Sequence, residues 1–126
     1  PRRIPAQPPG IARLVRADEA RHVAYGVAHF ERHCGIDLTL RTRLTAAVER
    51  RYDALTATSG LNHEVFDSLI LLAAGARAHD AIARGWAAVQ QLQLDMHEGR
   101  AGRLARPGFT ADEATALASL HTRNFI

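Results

Sequence analysis

Apolar residues recur at helical spacing along most of this chain. Ile11, Leu14, Val15, Val23, Val27 and Phe30 fall on one side of a helix. That spacing predicts a helix of about six turns from Ile11 to Cys34. Gly35 follows as a natural stop. Asp37 is placed to cap a second helix whose stripe is Leu40, Leu44, Val48 and Leu55. Ser59-Gly60 ends it, and Asn62 can cap a third. In that third helix, Val65, Phe66 and Leu69 to Ala74 are apolar on nearly all sides. The pattern predicts a central, buried element. A fourth segment, about Asp80 to Glu98, carries Ile82, Trp86, Val89, Leu92 and Met96 on one stripe. Gly75 and Gly85 permit a break or kink around it. Gly99, Gly102, Pro107 and Gly108 predict a loop. Thr110-Ala-Asp-Glu113 then has the form of a capping box, opening a short helix to about Leu120. No segment alternates as a strand does.

Composition supports an all-α class. The chain has 126 residues, 47% of them apolar, with 24 Ala and 16 Arg. Ala, Arg, Leu and Glu all favour helix. Residues 1–10 hold four of the five prolines and read as a linker or interhelical loop ahead of a helical domain over 11–126. One cysteine, Cys34, excludes an internal disulfide framework and a multi-cysteine zinc cluster. No apolar run approaches the ~20 residues of a membrane span, and no signal-peptide core opens the chain. A cytoplasmic protein with no membrane partner is the expectation. The net charge of +3 comes wholly from arginine over acid, with no lysine. These arginines are scattered along the sequence rather than clustered with aromatics, which argues against a nucleic-acid partner.

The informative stretch is Arg16-Ala17-Asp18-Glu19-Ala20-Arg21-His22-Val23, followed by Gly26. Glu19 and His22 are three apart, so both project from one side of a helix and can reach one metal ion. Carboxylate with imidazole suits iron or manganese and leaves coordination positions open. His29 and His33 extend the same side, and small and apolar neighbours place the pair inside a bundle. A buried glutamate there needs a metal or a hydrogen-bond network. No phosphate-binding loop, dinucleotide fingerprint or nucleophile relay accompanies it.

This stretch resembles the last ligand-bearing helix of ferritin-like di-iron oxidoreductases, the group that includes ribonucleotide reductase small subunits and acyl-carrier-protein desaturases. The tail from Gly108-Phe109 to Phe125 looks like the C-terminal end of uncharacterised bacterial ferritin-like proteins. The resemblance implies a four-helix bundle holding two metals, iron or a manganese–iron pair, that activates dioxygen on a small-molecule substrate. Glu19 would be a carboxylate ligand and His22 a terminal ligand. Asp18 and His29 would stand behind them, Asp18 orienting an imidazole by a hydrogen bond. Gly26 would give neighbouring helices close approach. Such a site uses two Glu-x-x-His pairs and two further Glu, and this chain has one pair. The resemblance therefore implies the C-terminal half of a longer bundle, completed by an N-terminal half upstream of Pro1 or by a homodimer partner. The other reading is a non-catalytic all-α interaction or scaffold domain, with Glu19 and His22 in an ordinary polar network.

Overall fold

The computed structural model describes residues 9–57 and 63–123. They form five helices: α1 (Pro9–Cys34), α2 (Thr39–Ala57), α3 (His63–Ala74), α4 (His79–Ala105) and α5 (Ala111–Arg123). There is no strand among them. The lead-in through Pro8, the Ser59–Gly60 stop, the Asn62 cap and the last tail residues lie outside the described residues, as does the Leu55 side chain.

The helix starts follow from short-range side-chain chemistry. Pro9 opens α1 at the one place where its missing N–H costs nothing. The Asp37 carboxylate accepts the Thr39 N–H at 2.9 Å and the Thr39 hydroxyl at 2.6 Å, which caps α2. At α5 the expected box is complete. Glu113 N–H donates to Thr110 Oγ1 at 3.3 Å, and the Glu113 carboxylate takes back the Thr110 N–H at 2.8 Å and its hydroxyl at 3.0 Å.

The third segment is not central. Helices α3 and α4 are separated by Gly75, whose φ of 66° is open to glycine without strain, and α3 folds back on the N-terminal half of α4. Its Ile70 is buried, but Leu72 is 80% exposed and Val65 and Leu71 are also exposed. All-round apolarity marks a helix as wanting cover on every side. Among the described helices, only α4 packs extensively on it. The contact is close because α4 turns Ala81, Gly85 and Val89 toward it, four residues apart on one face. Phe66 meets Trp86 edge to face at 5.5 Å.

Nor does α4 end at the glycines. It runs through Gly99 and Gly102 to Ala105, and the first residue that cannot continue it is Pro107. Two glycines lower helix propensity by about 1 kcal/mol each. Packing of Ala101 and Leu104 against the core opposes that loss. The core gathers around the α4–α5 turn: Val48 from α2, Phe109 from the turn, and Ala114 and Leu117 from α5, with Phe30 and Leu44 against them. Gly108 makes the turn at φ 93°, and Arg41 on α2 donates to the Pro107 carbonyl at 3.4 Å. Arg106 ties the turn to α1 through Glu31 at 2.7 Å. Helix α5 extends beyond Leu120 to Arg123.

Candidate metal-ligand helix

Helix α1 is 26 residues long, about 39 Å. It is anchored at its C-terminal end, where Phe30 meets the core and Cys34 is buried. Every residue from 10 to 26 is exposed. The Glu19–His22 pair is therefore exposed among the described residues, where the end of α4 comes beside it only across an open groove. The expected apolar neighbours are present and equally uncovered: Leu14 is 66% exposed, and Ile11, Val15 and Val23 are exposed as well. A Cβ on Gly26 would meet nothing within 4 Å, so the close approach expected there is made by no described element.

Each predicted site residue has a distinct setting. Glu19 lines a groove of about 470 Å³ between α1 and the end of α4, whose other charged residues are Arg16, Arg103 and Arg106. His22 points to solvent with its Nε2 3.8 Å from Asp18 Oδ2, an ion-pair separation longer than a hydrogen bond. Asp18 instead accepts a 2.8 Å hydrogen bond from Arg21. His29 lies in a ladder of rings one turn apart, 5.9 Å from Tyr25 and 4.2 Å from His33. The His33 Nδ1–H donates to the His29 carbonyl at 2.8 Å, which fixes its tautomer and leaves Nε2 facing outward.

Among the described residues, no three His, Cys, Asp or Glu side chains come together as a metal-binding group. Of the carboxylates on other helices, Glu64 and Asp67 lie on α3 and Asp80 and Glu98 on α4. Glu19 and His22 thus supply one carboxylate and one imidazole, both of the right type for iron or manganese, and two of the six ligands expected from the resemblance. The arginines around Glu19 oppose a dication in that groove and would have to turn away from it.

The residues that sequence reasoning missed are those arginines. Arg100, Arg103 and Arg106 are spaced by three at the end of α4, and together with Arg16 they face α1. That spacing is visible in the sequence. It is obscured by the glycines that signalled a loop. Arg100 is partly buried and crowded by Arg103, both of which hold its guanidinium below the usual range, with burial the larger cause.

No helix of the described residues is long and apolar enough to cross a membrane. Comparison with protein-family models, curated proteins and solved structures finds no match to this chain.

Proposed function

We propose that this all-α chain contributes a ligand-bearing helix to a ferritin-like di-metal protein that oxidises a small molecule with dioxygen. The observation that carries the reading is the exposure of α1. A Glu-x-x-His pair sits on a long helix whose apolar residues are uncovered over the same stretch. A soluble helix with Ile11, Leu14, Val15 and Val23 in water is built to be covered. Glu19 and His22 would hold the metal, and the helices that cover α1 would bring the remaining carboxylates and the second imidazole. Bound iron, or iron with manganese, would supply oxygen activation. The chain's own part is narrower. Asp18 sits close enough to take the His22 ring as a hydrogen-bond donor after a small rotation, which would fix the ligand tautomer. The apolar residues around the pair would exclude water once covered.

The test is metal content. The chain is reconstituted anaerobically with ferrous iron, and bound metal is compared in wild type, Glu19→Ala and His22→Ala. The reading expects several-fold less iron in both variants at unchanged helical circular dichroism. Equal metal in all three refutes the ligand assignment.

A second reading is favoured by the groove itself. Arg16, Arg103 and Arg106 surround Glu19 in the way an ordinary charge network would. On that reading the chain is an interaction domain without metal, and all three proteins hold equal iron.

A further inference from the structure

A second groove runs beside the first, below Gly26. It begins between α1 and α4, where Val27, Phe30, Leu44 and Leu104 form its floor, and it continues along α2 past Leu40. The two parts meet at Phe30 and Leu44 and enclose about 380 and 370 Å³. Four arginines rim this trough: Arg100 and Arg103 from α4, Arg43 and Arg50 from α2. Among the described residues, no carboxylate lines it. An apolar floor between cationic walls takes an amphipathic helix with acidic flanks.

The same chain exposes one. Helix α3 has two acidic residues, Glu64 and Asp67, and no lysine or arginine. With Phe66 and Ile70 against α4, helical geometry turns Glu64, Asp67, Leu71 and Leu72 away from it. Leu71 and Leu72 are exposed there. At 12 residues α3 is about 18 Å long. The trough follows α2 from Leu40 to Arg50, about 15 Å.

We propose that α3 of a second copy of this chain docks in the arginine-rimmed trough formed by α1, α2 and α4. Used reciprocally about a two-fold axis, the contact closes a pair in which each copy gives one α3 and one trough. The contact lies beyond Glu19 on α1 and stands whether or not a metal binds.

Sedimentation velocity on the whole chain, from 1 to 200 µM, reads the contact. Two exposed positions break it from opposite sides: Leu72→Asp on α3 and Arg103→Glu at the trough. Each is expected to raise the self-association Kd at least tenfold at unchanged helical circular dichroism. The two variants mixed in equal amounts are expected to associate several-fold more tightly than either alone, because the mixture holds one intact α3 and one intact trough. A chain that stays monomeric overturns the proposal, including one that instead takes an added oligonucleotide or fatty acid into the trough. So does association lost in one variant but not the other, and so does failure of the mixture to recover.

Discussion

Replacing Gly85 by alanine sets two effects of opposite sign against each other, and the structure says which wins. An alanine in a helix interior is favoured over glycine by about 0.8–1.0 kcal/mol. At Gly85 the new methyl would fall inside the contact distance of the Ile70 carbonyl oxygen, and 2.9 Å from both the Ala74 Cβ and the Ala74 nitrogen. Two of those three atoms are backbone, so no rotamer change relieves the overlap. Helix α3 must move away from α4. Overpacking of this kind costs about 1–3 kcal/mol, and the backbone partners place it toward the upper end. The net expectation is a loss of about 1–2 kcal/mol. For a chain of this size that is a fall of roughly 4–8 °C in Tm. The control lies in the same helix. A Cβ on Gly102 meets nothing within 4 Å, so Gly102→Ala is expected to raise Tm by roughly 4 °C. Thermal melts followed by circular dichroism at 222 nm compare the three proteins. A Gly85→Ala chain as stable as wild type, or more so, refutes the close approach of α3 and α4.

Two further perturbations probe the rest of the fold. Phe109→Ala empties the centre of the α2–α4–α5 core and is expected to cost about 3–5 kcal/mol; a urea titration showing less than about 1 kcal/mol would mean that the ring is not held there. The carboxyls of Asp37, Asp80 and Glu113 are held below their ordinary values, chiefly by the donors of Thr39, Arg84 and Thr110 respectively. A lowered carboxyl pKa adds stability that is complete above about pH 5 and lost as pH falls through the folded pKa. Tm is therefore expected to fall between pH 5 and 3, and less steeply in Glu113→Gln; identical slopes in both proteins would remove Glu113 from the cause.

What the sequence made legible was local. The Asp37 cap and the Thr110–Glu113 box depend on side chains reaching backbone groups two or three residues away, so a short string of letters determines them. The end of α1 at Cys34 is of the same kind. What failed needed knowledge of partners. Gly99 and Gly102 read as punctuation, yet the helix passes through them because Leu104 has a core to reach. The apolar run from Val65 to Ala74 was correctly seen as a helix, but all-round apolarity carries no information about how many neighbours exist. The same holds for Glu19 and His22. Their spacing is readable as one side of a helix, while nothing in that spacing says whether another element covers them, and the described helices leave both exposed. Phe109 was readable only as part of a turn, because a side chain in a five-residue connection has no periodicity to announce that it lies at the centre of the core.

The distribution of two singular residues has a consequence for experiment. The chain has one tryptophan and one cysteine. Trp86 sits against Phe66 in the α3–α4 hairpin, while Cys34 is buried at the base of α1. Tryptophan fluorescence, excited selectively over the two tyrosines, therefore reports the hairpin, and the rate of thiol labelling reports the opening of the α1 anchor. The two signals come from different helices without any engineered label. Coincident midpoints in denaturant would show that hairpin and anchor melt as one unit. Separate midpoints would show two foldons joined by a single long helix, α4, which then acts as an axle between them.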